Sequence, residues 1–377
     1  MKKIKLLLVA DTYYPKVDGT LKFMEEFVKR CADDFEISLL VPDFGVQRKI
    51  PGVKEIIFIT PSSILKISGY ANMQLSWQNR CKIKQAIERA DMTFIQGPGL
   101  ISYLSMYYSA KYDKKTIFYV HTIVWELFSK FFPPVFNWLF HWTIKKISLH
   151  MYKRCDLIIV PYYDLQEYLE LSGVTIPITV ARLGVDINLF SPTKEKRDMK
   201  EKMGIDKDSF VIGYVGRISK EKNIEVLLDA VGRMGHKEVH LLLVGDGPVN
   251  EVKKCQAIRH CTVTGFVHNV QDYLKAMDVF VMPSSTETTS LATLEAMATG
   301  LPVIVSKVGF IKRYVIKGYN GLFFSKESAG MLAHKIQMVR EDYKMRELLG
   351  AQARKTVAYS FSWERSINRI KRILKEV

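Results

Sequence analysis

The sequence predicts an α/β protein made of two doubly wound parallel sheets. Short apolar runs recur along all 377 residues, separated by stretches with helical spacing. Several of these runs are apolar on both faces, as strands covered by helices on either side must be. The rhythm breaks once, in the densely charged segment 191–209 (SPTKEKRDMKEKMGIDKDS), and then restarts. That places a first domain at 1–190 and a second at 191–361, with a terminal helix at 362–377 packing back on the first.

The first domain opens with a buried strand at 4–10. Its apolar run imitates the start of a secretory leader but stops at Asp11 with no cleavage-like segment behind it. Strands follow at 36–41, 55–60, 92–96, 116–121, 157–161 and 178–183. The second domain repeats the pattern at 211–215, 240–244, 262–265, 279–283, 302–306 and 322–324. Residues 362–377 place Trp363, Ile367, Ile370 and Leu374 on one helical face. No stretch reaches the roughly 18 apolar residues of a membrane-spanning helix.

Composition excludes collagen, bulk disorder and a disulfide scaffold: hydrophobic residues are 48% and charged residues 25%. The five cysteines, with no C-x-x-C, read as reduced thiols of a cytoplasmic protein and not as a zinc site. The net charge is +16, from 55 basic and 39 acidic residues. Residues 1–190 carry 24 basic against 18 acidic side chains, leaving 31 against 21 for the rest, so the excess is spread over both halves. Such a field favours anionic partners.

Four places carry chemistry. The first strand leads through Asp11-Thr-Tyr-Tyr-Pro-Lys-Val-Asp-Gly19-Thr20 into a helix. A helix N-terminus with free N–H groups is an anion site, and Gly19 lets a phosphate approach; the alternative is a turn capped by Asp18 or Thr20. His121 closes another strand, where ligands of open α/β sheets sit. It can bond a sugar hydroxyl or stabilise developing charge, or be no more than a capped histidine under a loop. In Gly213-Tyr-Val-Gly216-Arg217-Ile-Ser-Lys-Glu-Lys222-Asn223 two cations straddle a loop entering a helix, which suits a diphosphate. The fourth place is Glu287-Thr288-Thr289-Ser290-Leu-Ala-Thr-Leu-Glu295. With a helix starting near Thr288, Glu287 lies at its entrance and Glu295 two turns deeper, where ribose hydroxyls would explain a carboxylate among Leu291, Leu294 and Met297. Otherwise it caps a neighbouring loop.

Two doubly wound domains, a GR-x4-KN loop and E-x7-E running into EAMATGLPV resemble the GT-B retaining glycosyltransferases of family four, whose two domains face a cleft. The resemblance covers nearly the whole chain. It implies transfer of a hexosyl unit from a nucleotide sugar, UDP-linked, with retained configuration. Arg217 and Lys222 would hold the donor diphosphate, Glu295 the ribose, and Glu287 with the backbone of Thr288, Thr289 and Ser290 the sugar. His121 would act at the reaction centre and Gly19 lie against the phosphates. Two departures stand out: Asp18-Gly19 replaces paired glycines, and Thr288 replaces the glycine after the first motif Glu, which bears on the sugar bound. No metal is expected, because Arg217 and Lys222 take the cation's place. Asp206-Lys-Asp208 spells a metal motif of another fold but lies in the charged segment.

Residues 123–142 (IVWELFSKFFPPVFNWLFHW) include eight Phe or Trp, and no acidic residue occurs between Glu126 and Asp156. Trp125, Phe131, Phe132, Trp138 and Trp142, with Lys145 and Lys146, have the composition of an interfacial helix on an anionic membrane. Pro133-Pro134 interrupts any continuous span. The bland alternative is a core helix with a basic rim. The motif block is also similar to those of diacylglycerol glucosyltransferases and sulfoquinovosyltransferases, which implies a lipid acceptor at the inner membrane face. A soluble or polysaccharide acceptor and a nucleotide-sugar epimerase of the same fold are the alternatives. No nucleic-acid-binding module is present.

Overall fold

The computed structural model describes residues 3–15, 18–67, 70–121, 123–129, 134–235 and 238–377, with the side chains of 63–71 and 127–137 left out of the description. The chain divides into two compact units. The first comprises Met1–Leu183 and Ser366–Val377, the second Gly184–Arg365.

Along the first unit run β1 (Ile4–Val9), α1 (Gly19–Cys31), β2 (Phe35–Pro42), β3 (Val53–Ile59), β4 (Pro61–Ile67), β5 (Tyr70–Met73), α2 (Trp77–Arg89), β6 (Met92–Ile95), α3 (Leu100–Lys111), β7 (Lys115–Tyr119), α4 (Val124–Ser129), α5 (Pro134–Tyr152), β8 (Leu157–Val160), α6 (Tyr163–Leu171) and β9 (Ile178–Val180). Among the described residues, seven strands form one parallel sheet in the order β3-β2-β1-β6-β7-β8-β9. β4 and β5 pair antiparallel as a separate hairpin. Leu6, Leu7, Leu8, Val9 and Ala10 are all buried, because helices cover both faces of β1.

The second unit contains α7 (Lys196–Lys202), β10 (Phe210–Val215), a 3₁₀ turn (Lys220–Lys222), α8 (Ile224–Met234), β11 (Val239–Val244), α9 (Val249–Gln256), β12 (Cys261–Val263), α10 (Val270–Ala276), β13 (Val279–Met282), α11 (Leu291–Ala298), β14 (Val303–Ser306), α12 (Ile311–Tyr314), β15 (Leu322–Phe324), α13 (Ala329–Glu341) and α14 (Tyr343–Ser360). Its parallel sheet has the order β12-β11-β10-β13-β14-β15. Residues 184–190 join this unit because the Val185 N–H donates to Phe361 O at 2.7 Å and Arg354 donates to Phe190 O at 2.7 Å.

The charged segment is not a free linker. Lys200 is buried on α7 and pairs with Asp278 at 2.7 Å, and the same carboxylate accepts the Val211 N–H at 2.9 Å. This pins α7 to the sheet, and removing one member of such a pair costs about 3–5 kcal/mol. α15 (Trp363–Glu376) closes the chain. It buries Trp363, Ile367, Ile370 and Leu374, while Lys375 and Lys371 bond Asp34 and hold its carboxyl below the usual range. All five cysteines are free thiols.

Candidate functional site

In each sheet the strand order reverses once, between β1 and β6 in the first unit and between β10 and β13 in the second. Ligands of open α/β sheets bind beyond the carboxyl ends of the strands at that point. The residues singled out in the sequence fall on loops leaving these strands or their neighbours.

In the second unit, the loop after β10 is clamped by its neighbour. The Gly216 N–H donates to Val244 O at 3.0 Å and the Ile218 N–H to Asp246 O at 2.8 Å. A Cβ on Gly245 would overlap the Gly216 carbonyl, and one on Gly247 the Ile218 carbonyl. The Tyr214 hydroxyl donates to Arg217 O at 2.9 Å. Arg217 reaches Glu221 at 2.6 Å, both half-exposed. Lys222 turns inward, and its Nζ donates to Glu287 Oε1 at 2.6 Å. These two side chains are 22% and 9% exposed. The buried Ser284 hydroxyl donates to the same oxygen at 2.8 Å. Asn223, at φ 54°, ties the loop down by donating to Pro283 O at 3.2 Å and Lys326 O at 2.7 Å.

α11 begins at Leu291 and not near Thr288. Glu287, Thr288 and Thr289 therefore lie on a loop, Ser290 is the N-cap residue at φ 57°, and only Glu295 sits inside the helix, buried at 5% exposure. What shapes that loop comes from farther along the chain. Gly309, at φ 51°, lies so close that a Cβ would overlap the Glu287 carbonyl. The Phe310 N–H donates to Thr288 O at 2.9 Å, and the buried Tyr314 hydroxyl to Thr289 O at 2.8 Å. Sequence reasoning missed Gly309, Tyr314 and Ser284; a glycine three residues after a strand was the one available signal. Chemically, Lys222 supplies charge and N–H groups to an anion, and Glu287 supplies a fixed carboxylate to a hydroxyl.

In the first unit, the N–H groups expected free at the start of α1 are taken by its own carboxylate. Asp18 Oδ1 accepts from Thr20 N at 3.0 Å and Leu21 N at 2.9 Å, and Thr12 donates to Oδ2 at 2.9 Å. Gly19 is the first residue of that helix. A second carboxylate, Asp11 just past the end of β1, is half-buried and was not singled out. It accepts from Gly99 N at 2.8 Å, Ile101 N at 3.0 Å and Ser102 Oγ at 2.5 Å. Burial pushes its pKa up against those bonds. Asp11 thus caps α3, and Gly97 and Gly99 leave room for it.

His121 lies two residues beyond β7. Its ring stacks on Tyr119 at 4.5 Å and meets the edge of Phe23 at 5.4 Å. Burial lowers its pKa to about 3, so the imidazole is neutral at physiological pH. Its Nε2 lies 2.9 Å from Gln96 Oε1.

Comparison with protein families identifies the family of both units. Residues 17–189 match the family described as Glycosyltransferase Family 4, and residues 195–356 the one described as Glycosyl transferases group 1. The chain belongs to the group 1 glycosyltransferases. It is 26% identical over 97% of its length to the sulfoquinovosyl transferase SQD2 of Arabidopsis thaliana, spanning 72% of that protein. Over 48% of its length it is 34% identical to the alpha-monoglucosyldiacylglycerol synthase of Acholeplasma laidlawii, spanning 49% of that protein. In structure it is similar to Anabaena HepE in complex with UDP and glucose: TM-score 0.81, 19% identity, covering 99% of this chain and 100% of that one. Such likeness establishes the GT-B fold. The family matches and the curated relatives make the protein an enzyme of the hexosyltransferase type.

A further sequence expectation for this glycosyltransferase is corrected. Trp125 is not a surface residue. It is fully buried on α4, stacks on Tyr168 with centroids 6.3 Å apart and donates its Nε1 to the Tyr168 hydroxyl at 2.9 Å. Phe131 and Phe132 lie outside the described residues. Trp138 and Trp142 are exposed, at 77% and 47%, with Leu139 and Ile147 also exposed on α5. Lys146 lies 3.8 Å over the Trp142 ring, and Lys145 is half-buried. The inner face of α5 buries Ser148 and Tyr152. Among the described residues no helix is long and apolar enough to cross a membrane. Asp206 and Asp208 form a turn, in which the Asp208 N–H donates to Asp206 Oδ1 at 2.9 Å and Arg197 pairs with Asp208.

Proposed function

We propose that this glycosyltransferase moves a hexosyl unit from a UDP-sugar to a hydroxyl of a membrane lipid, with retained anomeric configuration. The observation that carries the donor half is the Lys222–Glu287 pair at the switch point of the second sheet. In this reading Lys222 and Arg217 neutralise the diphosphate as it leaves. Glu287, held by Ser284 on one oxygen, and the Thr288, Thr289 and Ser290 backbone receive the sugar, and Glu295 receives the ribose. Neutral His121 bonds a hydroxyl of the transferred sugar, and Gly19 lies by the phosphates. The UDP in the HepE complex supports the choice of nucleotide.

With two cations assigned to the leaving group, the reaction is expected to need no metal. Turnover after exhaustive EDTA treatment checks this. Full activity is expected; loss restored by Mg²⁺ or Mn²⁺ would assign the charge neutralisation elsewhere.

The lipid half rests on the outward face of α5 and on the diacylglycerol product in the name of the Acholeplasma laidlawii relative. Trp138 and Trp142 supply apolar area, and each cation near an anionic surface adds about 1 kcal/mol. Sedimentation with vesicles tests it. Binding to anionic vesicles and not to neutral ones is expected, weakened by salt. Lys145→Glu with Lys146→Glu should lower transfer to lipid and spare hydrolysis of the donor. Equal binding to both vesicle types, or none, favours a soluble acceptor.

A further inference from the structure

Three neighbouring strands of the first sheet, β1, β6 and β7, end at Asp11, Gln96 and His121. Asp11 is engaged on α3. Gln96 is different: it is completely buried, and its carboxamide makes one side-chain bond among the described residues, from Oε1 to His121 Nε2 at 2.9 Å. Its Nε2 has no partner among the described residues. Leaving a buried amide N–H unmet costs about 1–3 kcal/mol, so an apolar residue would be the more stable choice here.

In this orientation the amide oxygen, which only accepts, faces the ring, so the histidine presents an N–H; a flipped amide would donate and require the opposite tautomer. Among the described residues, the Tyr119 and Phe23 rings also pack on the imidazole. The Tyr119 hydroxyl is turned away and donates to Ala181 O at 2.7 Å.

We infer that Gln96 is a positioning residue that locks His121 in the Nε2–H tautomer and leaves the Nδ1 lone pair to accept a hydrogen bond from a substrate hydroxyl. A neutral imidazole has two tautomers, and the partner of one nitrogen decides what the other can do. With Nε2 committed to Gln96, Nδ1 is an acceptor of fixed direction. The ligand class is an uncharged hydroxyl donor, as on a sugar, and a carboxylate or phosphate is disfavoured at Nδ1. The use of that lone pair in catalysis rests on the function proposed above; the tautomer itself does not.

The test is therefore made first without turnover. In histidine ¹⁵N-labelled protein at neutral pH, the His121 Nε2 resonance should fall in the protonated range and Nδ1 in the unprotonated range. Gln96→Met, which removes the acceptor, should mix the tautomers, and Gln96→Glu, which keeps an acceptor oxygen, should retain Nε2–H. Gln96→Met should also lower kcat about 10- to 100-fold with unchanged UDP affinity, as expected of a misplaced reacting group. An Nδ1–H tautomer in the wild-type chain, or an unchanged tautomer in Gln96→Met, overturns the inference. Mixed tautomers with full activity would uphold the positioning by Gln96 and instead remove His121 from the proposed reaction. Should Gln96→Met fail to fold, the wild-type tautomer still decides the question.

Discussion

Lys222→Ala is expected to lower kcat/KM for sugar transfer roughly 10²- to 10³-fold, with the loss shared between kcat and donor affinity. The ammonium lies near the diphosphate in the ground state and meets more negative charge as the leaving group departs, so both parameters respond. Its removal also strips Glu287 of its cation at 9% exposure, leaving the Ser284 hydroxyl on a nearly buried carboxylate. A stability loss should accompany the kinetic one. The two are separated with Lys222→Met combined with Glu287→Gln, which removes both charges. If the pair mattered only for folding, the double variant would regain activity along with its melting temperature. The expected result is recovered stability with turnover still low. Initial rates at limiting and saturating donor, beside thermal melts, provide both readings.

His121→Ala should cut kcat roughly 10²- to 10⁴-fold, the range for a positioned group acting in the transition state. UDP affinity by calorimetry should stay at the wild-type value, since the nucleotide is assigned to the second unit. Because the ring packs on Tyr119 and Phe23, the alanine also leaves a cavity. His121→Asn keeps a polar side chain there with less volume lost and should show the same kinetic defect. Lost UDP binding with preserved turnover would reverse the roles.

The strands of both sheets were legible because their residues are apolar on both faces, as in β10, where all six positions are buried. The E-x7-E and GR-x4-KN patterns were legible because they are local in sequence. What sequence did not reveal depends on distant partners. The start of α11 was misplaced because Thr288 and Thr289 are held off the helix by Phe310 and Tyr314, more than twenty residues later. Trp125 reads as surface in an aromatic run, yet Tyr168 supplies the hydroxyl that satisfies its indole. The hairpin of β4 and β5 has a mixed pattern with no clean alternation, and its pairing is irregular. Asp11 looked like the end of a strand. Only the fold brings Gly99, Ile101 and Ser102 to it, about ninety positions on.

The proposal stands or falls on where the donor nucleotide binds, and hydrogen exchange with and without saturating UDP measures that directly. Protection at amides of 216–223 and 284–295 in the second unit and at 19–21 at the start of α1, absent from 206–208 and reduced in Lys222→Ala, is the expected result. Protection lying elsewhere, or left unchanged by loss of Lys222, would contradict the assignment of the donor site to the Lys222–Glu287 pair.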